Sequence, residues 1–156
     1  MPKPIRILFL CHGNICRSPM AEFMFKALLA EKHLEDAFEV ESAGVSDEEV
    51  GNPVYPPARR ILQQHGISCA GKTARQVTAA DYDRYDYLFC AEAFNLRWLR
   101  RIIPDDPQGK IGLMLSFSKN PRDISDPWYS GNYMETYRDL EEACATILAA
   151  LHPKGS

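Results

Sequence analysis

Six residues from Ile5 to Leu10, apolar except for Arg6, run directly into the loop Cys11-His12-Gly13-Asn14-Ile15-Cys16-Arg17 and then into a helix start at Ser18-Pro19. So short an apolar run, bounded by a glycine-containing loop, reads as a buried strand. Serine suits an N-cap and proline the first helical position. Met20, Phe23, Met24, Ala27, Leu28 and Leu34 follow at helical spacing and predict one apolar face. A strand that turns straight into a helix must pack that helix back onto a sheet, so the rest of the chain decides what the sheet is.

The later segments alternate in the same way. Phe38 to Val45 reads as a second strand, closing at Gly44, and 46–57 as loop. A short helix is expected over Ala58 to His65, with Gly66 as its stop. Tyr85 to Cys90 is the third strand, a helix follows to about Ile103, and Pro104 closes it. Ile111 to Leu115 is the fourth strand. Phe117 to Gly131 is a long loop, and the last helix runs from Tyr133 to Leu151, with Tyr133, Tyr137, Leu140, Cys144, Ile147, Leu148 and Leu151 on its inner face. Strands alternating with helices predict an α/β fold: one domain over residues 1–156, with a four-stranded parallel sheet covered by helices on both faces.

Bulk properties exclude several classes. The chain has 156 residues and a net charge of -3, so no global field favours nucleic acid or an acidic membrane surface, and any anion site is local. Ile5 to Leu10 is too short for a signal-peptide core or a membrane span. Five cysteines without a secretion signal argue against a disulfide framework. The lack of a Cys-x-x-C pair and the scatter of His12, His33, His65 and His152 argue against zinc. A cytoplasmic monomer without metal or cofactor is the expectation.

The loop after the first strand carries the chemistry. A loop between the C-terminal end of a parallel strand and a helix N-terminus offers unpaired N–H groups and a favourable dipole to an anion. Seven residues from Cys11 to Arg17 suffice to encircle one tetrahedral anion. Gly13 permits close backbone approach, Arg17 can fork onto two oxygens, and Asn14 suits a left-handed position that shapes the loop. The same field favours the thiolate of Cys11, which is the nucleophilic form, and the Ser18 hydroxyl can donate to it. The bare Cys-x5-Arg spacing is weak, since chance gives about 0.35 matches in a chain of this composition. Its placement between a strand and a helix start is what gives it weight against a buried cysteine beside a surface arginine.

The run Leu10-Cys11-His12-Gly13-Asn14-Ile15-Cys16-Arg17-Ser18-Pro19-Met20-Ala21-Glu22 resembles the low-molecular-weight protein tyrosine phosphatases, which carry a C-x-G-N-x-C-R-S-P loop near the N-terminus. Val40-Glu41-Ser42-Ala43-Gly44, His65-Gly66-Ile67, Ala74-Arg75-Gln76-Val77 and Asp126-Pro127-Trp128-Tyr129 extend the resemblance over nearly the whole chain. It implies Cys11 as nucleophile, Arg17 as phosphate clamp and Asp126 as general acid and base. The phosphate would bind within 12–18, that is His12, Gly13, Asn14, Ile15, Cys16, Arg17 and Ser18. The implied partner is a phosphotyrosine-containing protein or peptide. Asp126 also suits the chemistry by itself: a leaving oxygen needs a proton, and a long loop can reach over a site. Asp123 is the reserve acid.

Trp128 and Tyr129 are expected to wall a cleft deep enough for a phosphotyrosine ring, with His12 at the rim. The opposite wall, aromatic in many relatives, corresponds to Glu48 beside Glu49, which predicts a preference for basic residues flanking the phosphotyrosine. Ile15 matches the tyrosine-directed branch, whereas threonine marks the arginine-directed one. A second departure from the family's pattern is at Lys72, near which a histidine that buttresses the loop in some relatives is replaced; Ser42 is the remaining candidate support. An arsenate reductase of this fold would need a second shuttle cysteine where Arg97 stands, so Cys90 reads as core. Arg97, Arg100 and Arg101 read as a solvated helix face. A phosphate-binding or redox module, with a reversible Cys11–Cys16 disulfide, is the alternative that has no use for Asp126.

Overall fold

Four strands, β1 (Ile5–Cys11), β2 (Phe38–Gly44), β3 (Tyr87–Cys90) and β4 (Ile111–Leu113), pair in parallel in the order β2-β1-β3-β4. This computed structural model describes residues 3–152; the outermost positions of the expected 1–156 domain, residues 1–2 and 153–156, lie outside that range. Ile7, Leu8, Phe9 and Leu10 are all fully buried, because a central parallel strand is covered on both faces. Their alternating side chains enter two separate cores. Ile7 and Phe9 join the larger one with α1 (Arg17–Glu31), α2 (Pro56–Gln64) and α6 (Tyr133–Leu151). Leu8 and Leu10 join the smaller one, with Leu88, Cys90, Leu99 and Ile103, beneath α3 (Ala80–Arg84) and α4 (Ala93–Leu99). The remaining helix, α5 (Pro127–Ser130), is a single turn beside the cleft described below.

The strand order reverses at β1: β2 lies on one side of it and β3 on the other. In open parallel sheets the crevice for ligands opens at such a switch point, beyond the carboxyl ends of the strands. Cys11 pairs with Gly44, Leu10 with Cys90, and Cys90 with Leu113, so the loops after β1, β2 and β3 meet at one edge.

Several local expectations change. The first helix begins at Arg17 with Cys16 at the N-cap position, so Ser18 lies inside the helix and caps nothing. That helix is buried over most of its circumference in its first two turns, from Arg17 to Glu22 and on to Met24 and Phe25, because it is wedged between the sheet, α2 and α6. The fourth strand closes at Leu113 rather than Leu115 and the third starts at Tyr87 rather than Tyr85. Helices α3 and α5, at five and four residues, are too short for a periodic signal.

The segment 73–77 lies against the loop end of β2: Gly44 donates to Arg75 O at 2.8 Å and Val77 to Gly44 O at 2.8 Å. Asp81 straps it down. Its carboxylate accepts from Arg75 Nη1 at 3.0 Å, Arg75 Nη2 at 3.2 Å and Thr78 N at 2.8 Å. Burial works against the charge of Asp81, but these donors outweigh it and hold its carboxyl below the ordinary value of 3.8. Asp81→Ala is therefore expected to cost about 2 to 4 kcal/mol at neutral pH. A carboxyl lowered in the folded state contributes fully above its unfolded value and loses that contribution as pH falls through the folded one. Urea unfolding at pH 7 and pH 3 should show the gap between parent and variant shrinking at pH 3.

Candidate active site

The loop 12–16 is turned by its outer bonds. Val45 N–H donates to Cys11 O at 2.9 Å, Ser46 N–H to His12 O at 3.0 Å and Tyr55 N–H to Ile15 O at 2.8 Å. In a trans peptide the N–H lies opposite the carbonyl, so tying these oxygens outward aims the N–H groups of His12, Gly13 and Cys16 inward. Among the described residues, the N–H groups of His12, Gly13, Ile15, Cys16, Arg17 and Ser18 find no protein acceptor. Asn14, at φ 63°, makes the left-handed bend that closes the ring, and its own N–H donates to Cys11 Sγ at 3.3 Å.

The residue that allows the close approach of two backbones is Gly44. A Cβ there would meet His12 O at 2.8 Å and Gly13 C at 3.1 Å. At Gly13, which the sequence offered for that purpose, the nearest obstacle is the flexible Glu49 side chain, at 3.1 Å.

Behind the loop a chain of hydrogen bonds fixes the sulfur. Asn14 Nδ2 donates to Ser18 Oγ at 2.8 Å and to Ser42 Oγ at 3.0 Å, while Asn14 Oδ1 accepts from Arg75 N–H at 3.1 Å. With its lone pair engaged by Asn14, the Ser18 hydroxyl is free to donate to Cys11 Sγ, 3.0 Å away. Ser42 Oγ in turn donates to the buried Glu22 at 2.6 Å, and Lys72 Nζ donates to Ser42 O at 2.8 Å and stands 3.7 Å from Glu22. Burial lowers the pKa of Lys72, and the field of Glu22 partly opposes that. Ser42 thus supports the loop through Asn14, and Lys72, where the sequence departs from the family's histidine, supports Ser42 from behind.

Arg17 is 4% exposed and held from three sides. Its guanidinium donates to Ile124 O at 3.2 Å, Glu92 Oε1 at 3.1 Å and Asp126 Oδ2 at 3.4 Å. Burial opposes its charge, but the Glu92 hydrogen bond and the fields of Cys11, Asp126 and Glu92 prevail, and its pKa moves upward. Asp126 is the N-cap of α5, with Oδ1 accepting from Trp128 N–H at 3.0 Å. The cap fixes one carboxylate oxygen and leaves the other toward Arg17.

The cleft above this frame measures 460 Å³. Cys11, His12, Gly13, Ile15, Cys16, Arg17, Glu48, Asp126, Trp128 and Tyr129 all line it. Asn14 and Ser18 are buried behind it. His12 is bonded to Glu48, which holds the Glu48 carboxyl below its usual range, and its ring meets Trp98 edge-on at 5.0 Å. Trp128 packs on Tyr55, with centroids 5.4 Å apart. Burial, followed by the field of Cys11, pushes the Cys16 thiol up to about 12, against a hydrogen bond from Tyr133. Among the described residues, no three His, Cys, Asp or Glu side chains converge as a metal site requires.

Asp123 is not at the cleft. Its carboxylate accepts from Ala93 N–H at 2.9 Å and so tethers the start of α4, which removes it as the reserve acid. Cys90 is fully buried in the smaller core and Arg97 is exposed. The sequence reading missed Glu92 and Phe94, both of which line the cleft. The one signal available was their place just after β3, the strand beside β1 at the switch point.

Comparison with known proteins places this geometry in company. The family model described as low molecular weight phosphotyrosine protein phosphatase matches residues 6–156. A Bacillus subtilis relative, low molecular weight protein-tyrosine-phosphatase YfkJ, is 38% identical over 149 residues, covering 94% of this chain and 96% of the relative. A Homo sapiens low molecular weight phosphotyrosine protein phosphatase is 33% identical over 151 residues, covering 94% and 95%. The crystal structure of YfkJ from Bacillus subtilis superposes with a TM-score of 0.93 at 36% identity over 99% of each chain.

Proposed function

The chain belongs to the low molecular weight phosphotyrosine protein phosphatase family, and from that membership we propose how its own residues hydrolyse the phosphate monoester of tyrosine. It is a phosphoric monoester hydrolase acting on phosphoproteins. The observation that carries the assignment of roles is Cys11, a residue 4% exposed, with its sulfur at the floor of a ring of six N–H groups that lack a protein acceptor among the described residues and with Arg17 beside it.

A phosphate dianion seats its oxygens on the N–H ring, and Arg17 turns from its carboxylate partners to fork onto two of them. Cys11, held by the Ser18 hydroxyl, attacks phosphorus in line. The S–P bond forms, the P–O bond to the tyrosine ring breaks, and Asp126 gives its proton to the departing phenolate oxygen. In the second half water attacks phosphorus, its proton passes to Asp126, the S–P bond breaks and inorganic phosphate leaves. Ser18 stabilises the sulfur anion at both ends of this sequence.

Substrate choice follows from the walls. Ile15 lines the cleft as an apolar surface suited to an aryl ring, which supports tyrosine over arginine as the phosphate bearer. Glu48 and Glu49 make one side acidic, so peptides with Lys or Arg beside phosphotyrosine should exceed acidic-flanked ones in kcat/KM by about 10-fold at low salt, narrowing as salt rises. A phosphopeptide panel measures this. A flat panel would remove the flank preference, and phosphoarginine exceeding phosphotyrosine would overturn the tyrosine assignment. Replacement of Glu48 by tyrosine should raise phosphotyrosine affinity.

The remaining parts of the proposal are cellular. All five cysteines are unpaired, which supports a reducing compartment, the cytoplasm, and a monomer serves the mechanism. Cys16 lines the same cleft as Cys11. When peroxide oxidises Cys11 to the sulfenic acid, the Cys16 thiol displaces hydroxide and the protons leave as water. The resulting disulfide is reversed by a dithiol reductant.

A further inference from the structure

Three of the large apolar side chains most exposed to solvent, Phe94, Trp128 and Tyr129, line the same cleft. Exposed apolar surface gathered at one concavity marks a binding face, whereas isolated exposed side chains do not. Trp128 and Tyr129 belong to the wall already described. Phe94 comes from a different element and belongs to neither hydrophobic core. In α4 the inward positions are Asn95 and Leu99, both buried, while Phe94 is 54% exposed and stands over the cleft.

Its support is unusually direct for an exposed residue. Glu92, two positions earlier, holds Arg17 Nη2 at 3.1 Å and bonds through its N–H to Asn95 Oδ1 at 3.0 Å. Ala93 N–H is bound by Asp123 at 2.9 Å, and Ala91 O accepts from Ile124 N–H at 2.8 Å. The start of α4 is therefore tied both to the phosphate clamp and to the loop that carries Asp126. A ring mounted there keeps its place relative to the reacting phosphate.

Resting on the phosphatase reading, we infer that Phe94 is a specificity-determining residue that contacts the aromatic ring of the leaving group from the side facing Trp128. It supplies an apolar surface that Glu48 does not provide. The ring of phosphotyrosine enters between Phe94 and Trp128, while the acidic side at Glu48 and Glu49 stays free for the flanking residues. Aromatic contacts of this kind are edge-to-face or offset, and they discriminate by ring and not by phosphate.

The test separates ring from phosphate. Competitive inhibition constants for phenylphosphonate and for inorganic phosphate are measured in the parent, Phe94→Ala and Phe94→Tyr, with kcat/KM for p-nitrophenyl phosphate. In Phe94→Ala the phenylphosphonate constant should rise about 3- to 10-fold and kcat/KM fall by a similar factor. The constant for inorganic phosphate should stay within about twofold, and Phe94→Tyr should restore the parent values. An unchanged phenylphosphonate constant overturns the inference. So does an equal rise for both inhibitors, which would place the effect on the phosphate cradle through Glu92. In either case an active parent leaves the phosphatase reading standing, whereas a parent inert toward every aryl phosphate removes that reading and this inference together.

Discussion

Cys11→Ser is expected to lower turnover of p-nitrophenyl phosphate by at least about 10⁴-fold while the fold and phosphate binding persist. The physical reason lies in what surrounds the sulfur. Its neighbours are donors: the Ser18 hydroxyl at 3.0 Å and the Asn14 N–H at 3.3 Å. Such a shell suits a sulfur anion and contains no base that could take a proton from a hydroxyl. A thiol becomes a nucleophile under those conditions, because sulfur gives up its proton readily, and a serine hydroxyl does not. The variant keeps its N–H ring and Arg17, so inorganic phosphate should still bind with an affinity near that of the parent. Turnover close to the parent's would mean that another group attacks phosphorus. Loss of phosphate binding together with activity would mean that the loop had collapsed and the experiment had tested folding.

Asp126→Ala carries the second largest effect and a more diagnostic shape. With phosphotyrosine or phenyl phosphate, whose leaving oxygen needs a proton, kcat should fall about 10²- to 10⁴-fold. With p-nitrophenyl phosphate, whose leaving anion is far less basic, the fall should be much smaller. A uniform loss across leaving groups would point to misplacement of Arg17 instead. Two features of the structure bear on the control. Asp126 also caps α5 through Trp128 N–H, so the alanine variant gives up about 1 kcal/mol of local stability. Asp126→Asn keeps the capping oxygen and lacks the proton, so it should show the same leaving-group dependence with the parent's melting temperature. Arg17 retains Glu92 and Ile124 O in either variant, so the clamp remains in place.

What the sequence disclosed and what it hid have separate physical causes. The strand Ile5 to Leu10, the parallel sheet and the final helix over Tyr133 to Leu151 were legible because apolar periodicity reports burial directly. The loop was legible because phosphate chemistry needs a few residue types in a fixed local order, and Asn14 adopted the left-handed conformation expected of it. Ser18 was misread as a cap because serine before proline has two uses. Here the helix starts two residues earlier, which turns the hydroxyl toward Cys11. Asp123 and Asp126 look alike as loop carboxylates. Only the course of the loop sends one to Ala93 N–H and the other to Arg17. Glu92 and Phe94 were hidden because their meaning depends on β3 lying beside β1, a contact between residues about eighty positions apart that no local pattern records.

The most direct test of the account is to find the phosphoryl group on the enzyme. Asp126→Ala protein is mixed with p-nitrophenyl phosphate, quenched with denaturant within the first turnovers, and mapped by peptide mass spectrometry. The account predicts the mass of one phosphoryl group on the peptide containing Cys11, assigned to the sulfur, with a matching burst of p-nitrophenol. A phosphoryl group on His12 or Ser18, or product formed with no burst and no labelled peptide, would contradict it.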